Sequence, residues 1–366
     1  MRMKRFFALV LAVVMLMCTA CSADTSPAVM TYGETVITEA MYSYYVSTYK
    51  GRYIQSYDDI TDSDEFWENG VGGRSGEEIL RDLVYGNVAQ NLVAAEEFRR
   101  AGLKLSDDQK SAVDTYIQSM IDELASGSRQ TFNGYLAEFG INMDMLRDML
   151  LMEKKAYTYY EYLYGEGGSE AVGDSDRDEY YKENFVHFQQ IFINDIVVYE
   201  TDSEGRFIQD ENGNYKTREF TETEKTELES RIDAVKTGLE AGEDFDTLRE
   251  KYSDVSEYDD GYYFSAATST NYITSIVSAA FALEEGEWTF VESARDKGAF
   301  FIKRLPLEDG AYKDEKYKEF FGTLDEDLTS EKYAEKLEGM YADIVKNDEY
   351  LDDISVKDAA PNYYFY

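Results

Sequence analysis

Phe188-Gln-Gln-Ile-Phe-Ile193 is a β-rich run, and the pattern C-terminal to it sets the fold class. Ile196-Val-Val-Tyr199 continues the run. Residues 200–220 then hold two turn signals, Ser203-Glu-Gly205 and Glu211-Asn-Gly213, around Phe207-Ile208, and read as an inserted hairpin. Leu228, Ile232, Val235 and Leu239 repeat at helical spacing up to Gly242, and Phe245, Leu248 and Tyr252 mark a second helix. Tyr262-Tyr-Phe264 reads as a strand, Ile276 to Leu283 as a short helix, and Trp288 to Val291 and Ala299 to Ile302 as two more strands. The order is strand, helices, strand, helix, strand, strand.

N-terminal to this stretch the period changes. Val29-Met-Thr-Tyr-Gly33-Glu-Thr-Val-Ile37-Thr38 reads as a small strand, a turn at Gly33 and a helix start at Thr38, and residues 56–76 read as a loop. Ile79, Leu80, Leu83, Val84, Val88 and Leu92 then share a helix face that ends at Gly102. Ser106-Asp-Asp-Gln109 is a capping box ahead of Val113, Tyr116, Ile117, Met120, Ile121 and Leu124. Two further helices run from Phe132 to Gly140 and from Met143 to about Tyr164. Residues 166–182 read as a linker by composition. Residues 307–366 return to helix, with Tyr317, Phe320, Phe321 and Leu324 on one face and Tyr333, Leu337, Met340, Tyr341 and Ile344 on another. Those stripes need a surface to pack on, and the N-terminal helices are the expected one.

The first twenty residues predict export. Arg2, Lys4 and Arg5 precede an uncharged apolar run from Phe6 to Met17, and Thr19-Ala20 are small residues before Cys21. A basic start, a short apolar run and a small-residue cleavage site make a secretory signal. The apolar run is too short to span a bilayer, which takes ~20 residues. Cys21 after a small residue resembles the lipobox of bacterial lipoproteins, although Cys18 stands where leucine is usual. The expectation is cleavage before Cys21, lipidation of Cys21, a tether over residues 21–30 and an extracytoplasmic, membrane-anchored protein. Cys18 and Cys21 are the two cysteines, so the mature chain holds no disulfide.

Charge and composition exclude several classes. The chain carries −38, and losing Arg2, Lys4 and Arg5 makes it −41. Nucleic acid and anionic membrane surfaces are therefore poor ligands. With His187 the sole histidine, zinc sites and Ser–His or Cys–His nucleophiles are close to excluded, and no metal or other cofactor is expected. Asp210-Glu-Asn-Gly213-Asn fails as a calcium loop, because its glycine is at position 4 and Thr221 stands where the bidentate glutamate belongs. Thirty-two tyrosines, many clustered as in Tyr42-Ser-Tyr-Tyr45, offer apolar area with a polar tip, and Met143, Met145, Met149 and Met152 share one helix. They suit either a cradle for unfolded chains or an ordinary core and surface.

Local strings in the sheet-forming stretch carry a resemblance. Ala241-Gly-Glu-Asp-Phe245 followed by Tyr252-Ser-Asp254, then Ala279-Ala-Phe-Ala-Leu283-Glu-Glu-Gly286-Glu287, then Gly298-Ala-Phe-Phe-Ile302, resemble in order the segments of a parvulin-type peptidyl-prolyl isomerase. The flanking regions are similar to the helical parts of SurA- and PrsA-like extracytoplasmic foldases. The resemblance implies an α+β fold: a helical N-terminal chaperone region over residues 31–165, a parvulin-like domain over 183–306 made of a small antiparallel sheet flanked by helices, and C-terminal helices completing the N-terminal region.

It also implies site positions, and these depart from the family. The two histidines and the Asp or Cys of a parvulin fall on Gln190, Phe300 and Val255, with Asp254 beside the last. His187 lies at an odd offset from Gln190, so in a strand it points to the other face. The apolar positions fall on Tyr263, Phe264, Tyr272, Ile276 and Phe281, for which a peptide-binding wall and plain core are both open readings. An apolar wall without its polar network implies peptide binding with weak or absent catalysis. The leading expectation is a membrane-tethered chaperone for unfolded or partly folded secreted proteins; the alternatives are an active isomerase and a non-catalytic surface scaffold. The resemblance also allows a homodimer through the helical part, and the acidic surface allows steering of basic clients.

Overall fold

The computed structural model describes residues 25–56, 62–70, 73–194, 198–255, 258, 260–266, 274–293 and 298–364. Cys21 and Tyr272 lie outside the described residues. The chain divides into two compact units, one holding the described residues up to Ala171 together with Ser330 onward, the other Val172–Thr329.

The first unit is helical around a small sheet. Strands Ala28–Tyr32 and Thr35–Thr38 form a hairpin, and Val345–Lys346 adds antiparallel to its other edge. Gly33 turns the hairpin at φ +60°, directly over the Glu96 carboxylate, which leaves no room for a Cβ. Glu96 is fully buried, and its carboxylate accepts from Arg99 Nη2 (2.7 Å), Arg100 Nε (3.1 Å) and Thr35 Oγ1 (3.2 Å). Ser75–Glu78 and Ser106–Gln109 form reciprocal capping boxes that start the helices Gly76–Arg100 and Asp107–Ala125. The stretch read as a loop holds a short helix, Asp64–Asn69, which buries Trp67.

The C-terminal segment is tied into this unit by named bonds. Tyr333 Oη donates to the Ala156 carbonyl (2.9 Å), and Lys50 Nζ donates to the carbonyls of Lys357 (2.8 Å) and Ala359 (2.9 Å). Asn362 lies flat on Gly51, where a Cβ would meet its carbonyl.

In the second unit the central strand Phe185–Ile193 pairs antiparallel with Tyr262–Ser265 on one side and Gly298–Leu305 on the other, and Trp288–Ser293 completes four strands. Alternation gives the sheet two distinct faces. Ile191, Ile193, Ala299 and Phe301 meet Leu228, Val235, Leu239, Phe245 and Leu248 of the helices Glu222–Glu240 and Phe245–Tyr252. Val186, Phe188, Phe300 and Ile302 face Ile276, Val277 and Ala280 of the helix Thr274–Ala282.

Three boundaries differ from the sequence reading. Residues 28–30, read as tether, belong to the strand Ala28–Tyr32, with Val29 and Met30 buried. Residues 174–182, read as linker, belong to the helix Asp174–Asn184: the Asp176 carboxylate accepts from the Gly173 N–H (2.9 Å), and Tyr180 and Tyr181 are buried. Residues 307–329, read as the start of the helices completing the N-terminal region, pack in the second unit. Tyr317, Phe321, Leu324 and Leu328 share a core with Tyr180, Tyr181, Phe185 and Tyr263. The tail divides because its first aromatics match an apolar patch on the sheet unit.

Candidate peptide-binding site

Gln190 and Phe300, two of the positions the resemblance picks out, share one face of the sheet. Gln190 pairs with Ile302, and Phe192 with Phe300, across the central and closing strands. Gln190 is half-buried, and its Nε2 donates to Tyr262 Oη at 3.2 Å. Phe300 is 2% exposed, and its ring packs 4.8 Å from that of Phe192. Val255 is half-buried and brings no polar side chain.

Asp254, its neighbour, is engaged elsewhere. One carboxylate oxygen accepts from Arg231 Nη2 (2.6 Å) and the other from the Asn194 N–H (2.9 Å). The ion pair turns Asp254 toward the Glu222–Glu240 helix, which covers the opposite face of the sheet. His187 is also on that opposite side. It is buried, with Nδ1 2.8 Å from the Pro306 carbonyl and Nε2 2.7 Å from the Asp260 carbonyl. Both ring nitrogens are engaged by backbone carbonyls.

The apolar wall needs one correction. Tyr263 is fully buried on the His187 side, stacked on the imidazole with centroids 4.1 Å apart and planes 6° from parallel. It is core and no part of the site. The strand period brings Tyr262 and Phe264 to the site side instead, where both rings pack near Phe188 at 5.7 and 5.9 Å. Ile276 is buried at 1% exposure, and Phe281 is half-buried against the same cluster. Phe320 adds its ring 6.2 Å from Tyr262 and 6.3 Å from Phe264, and Tyr258 stands 5.0 Å from Tyr262. Sequence reasoning missed Tyr262 as a site residue, although the i, i+2 rule separates Tyr262 and Phe264 from Tyr263. Phe320 and Tyr258 come from distant segments and leave no local signal.

The helical unit has a cavity of about 360 Å³ walled by Tyr44, Tyr45, Tyr49, Tyr116, Met120 and Met149. At its wall Glu153 accepts from Tyr45 Oη at 3.1 Å. Burial raises the Glu153 carboxyl above the ordinary carboxylate range, against the opposing pull of the Tyr45 hydrogen bond and of Arg52. Burial likewise pushes the Tyr45 hydroxyl up. Met145 and Met152 are core, while Met149 is buried and borders the cavity. Thr48, Arg52 and Asn91 join Glu153 as the polar groups of this otherwise aromatic and aliphatic wall.

No family model matches the chain, and no curated protein matches it. Solved structures do. A PrsA structure from Bacillus subtilis is 19% identical, with 76% of this chain and 84% of that one covered at a TM-score of 0.24. A peptidylprolyl isomerase (PrsA) structure from Bacillus cereus is 18% identical, with 90% and 98% covered at a TM-score of 0.28. A structure from Campylobacter jejuni, from work on SurA-like chaperones, is 15% identical, with 75% and 94% covered at a TM-score of 0.19. What the site does rests on its own residues.

Proposed function

We propose that this chain is an extracytoplasmic chaperone of PrsA-like plan, tethered through Cys21, that holds unfolded segments of secreted proteins and has little or no isomerase activity. One observation carries the reading: the sheet face that would need a hydrogen-bonded polar network is aromatic. Gln190 is joined to Tyr262, Phe300 is packed on Phe192, and Asp254 is held by Arg231. Rotation about an X–Pro bond faces a barrier of ~20 kcal/mol, and an enzyme lowers it by binding the twisted amide better than the planar one. Preorganised polar groups supply much of that preference. On this face Gln190 donates to Tyr262 Oη, and Arg304, paired across from Phe188, is spent on the carbonyls of Phe281 (3.3 Å) and Leu283 (2.6 Å). What remains is aromatic area suited to apolar side chains.

The test is a prolyl-isomerisation assay on the purified chain without its signal segment, run beside suppression of aggregation of several unrelated unfolded proteins. Suppression without isomerisation supports the proposal. Isomerisation at a rate typical of parvulins would replace it with an active enzyme, and failure to suppress aggregation would leave a scaffold. Cys21→Ser should release the chain from the membrane fraction if the tether is as proposed.

A further inference from the structure

The insertion between the strand Phe185–Ile193 and the helix Glu222–Glu240 is built on an eight-residue repeat. Asp202-Ser-Glu-Gly205-Arg-Phe207-Ile-Gln209 is followed by Asp210-Glu-Asn-Gly213-Asn-Tyr215-Lys-Thr217, and Tyr199-Glu-Thr201 supplies the last part of a third copy. The two full copies fold alike. Asp202 accepts from the N–H groups of Glu204 (2.8 Å) and Arg206 (3.1 Å), and Asp210 from those of Asn212 (2.8 Å) and Asn214 (2.9 Å). Gly205 and Gly213 complete the turns at φ +80° and +86°.

The copies then close on one another. Thr201 pairs with Phe207, Gln209 with Tyr215, and Thr217 with Tyr199. At the centre three equivalent residues bond in a ring: Ile208 N–H to the Glu200 carbonyl (2.9 Å), Lys216 N–H to that of Ile208 (2.8 Å), and Glu200 N–H to that of Lys216 (2.9 Å). The result is a pseudo-threefold module with one aromatic ring from each copy. Tyr199, Phe207 and Tyr215 meet with centroids 5.7–6.3 Å apart and planes 66–86° from one another.

These rings are not a closed core, being 44%, 59% and 54% exposed. The charge around them is negative. Residues 198–219 carry six carboxylates against Arg206, Lys216 and Arg218. Arg206 is paired with Asp202 and Glu204, and Arg218 with Glu224. Among the described residues, no lysine or arginine stands over any of the three rings. Ring faces are electronegative, and a cation within ~6 Å of a ring centroid, over its face, is attracted to it.

We propose that Tyr199, Phe207 and Tyr215 form a receptor for lysine and arginine side chains of extended polypeptide. The assignment to polypeptide rests on the proposed chaperone function. A chain of −38 draws basic segments toward it, and the triad holds the cation that arrives.

The test is fluorescence anisotropy of a labelled fifteen-residue Gly-Ser peptide carrying three lysines, titrated with the purified chain without its signal segment. Replacing Phe207→Leu and Tyr215→Leu keeps apolar bulk but removes two rings, and should weaken binding about tenfold, as two ordinary cation–π contacts imply. Phe207→Tyr with Tyr215→Phe keeps the rings and should keep the affinity. Amide resonances of Gly205 and Gly213 report that the module stays folded. Acetylating the lysines should abolish binding. Equal affinities for the leucine and ring-keeping variants, undiminished binding of the acetylated peptide, or binding of tetramethylammonium without the lysine peptide would each overturn the proposal. Aggregation suppression, measured in parallel, separates the two readings: its loss in the natural chain removes the chaperone, whereas suppression without lysine-peptide binding removes only the receptor.

Discussion

Replacing Lys50 with methionine should loosen the C-terminal segment from the helical unit. The Lys50 side chain is 1% exposed, yet all of its donors are used. Nζ reaches the Lys357 and Ala359 carbonyls at 2.8 and 2.9 Å and Asp62 Oδ1 at 2.9 Å, and it stands 4.9 Å from the centre of the Trp67 ring. Hydrogen bonds from a charged donor are worth about 1.5–3 kcal/mol each, and at the lower figure the two carbonyls account for about 3 kcal/mol. The Asp62 pair adds under about 1 kcal/mol, because that carboxylate is 36% exposed and regains water. Methionine restores an S–aromatic contact of about the same worth as the lost cation–π contact. The sum is a loss of about 3–4 kcal/mol. The assay is urea unfolding of a Trp288→Phe background followed by Trp67 fluorescence, which isolates the helical unit. At a slope of about 2 kcal/mol per molar the midpoint falls by about 1.5–2 M. Release of the segment should also expose the bond after Lys357 to trypsin in the native state. A loss under about 1 kcal/mol would refute the idea that one ammonium holds the segment down.

Other outcomes rest on the same geometry. Glu153→Gln separates burial from charge: the folded-state pKa of Glu153 is raised, so the natural chain has its full share of stability below the unfolded value of about 4.3 and loses it as pH rises through the folded value. The stability of the glutamine variant relative to the natural chain should therefore increase from pH 4 toward neutral, read by thermal melts, and a constant difference would discard the account. Gly261→Ala should destabilise the sheet unit by about 2–4 kcal/mol, because φ is +95° and a Cβ would stand 2.8 Å from the Phe188 carbonyl oxygen and 2.9 Å from His187 Nε2. Trp288 fluorescence during unfolding reads that loss, and an unchanged midpoint would contradict it. Phe300→His, one part of rebuilding a parvulin network, should cost about 2–4 kcal/mol in thermal stability, because it removes a packed ring and buries an imidazole beside Phe192. Tolerance of that change would show the face more open than its packing implies.

Much of the candidate site was legible in the sequence because strand geometry is local. Alternation alone sets His187 on the face opposite Gln190, and the structure places it there. The same rule, applied one residue along, would have kept Tyr262 and left out Tyr263. The family resemblance picks out Tyr263 and Phe264 together, and a strand puts two adjacent residues on opposite faces. The repeat that builds the exposed triad was also written in the sequence, as Asp, Gly and an aromatic recurring every eight residues. Only the bonds among residues 200, 208 and 216 reveal that its copies close into a ring.

The residues themselves determined the elements and their ends, since a capping box such as Ser106–Gln109 and a helix stripe such as Val113, Ile117, Met120 and Ile121 act through neighbours a few positions away. The tertiary structure alone decided which surfaces meet. It gave Tyr317 and Phe321 to the sheet unit and Tyr333 to the helical one, turned Asp254 onto Arg231, and brought Phe320 to the Gln190 face. Each of those outcomes depends on the shape and charge of a partner far along the chain, and no local pattern carries that information.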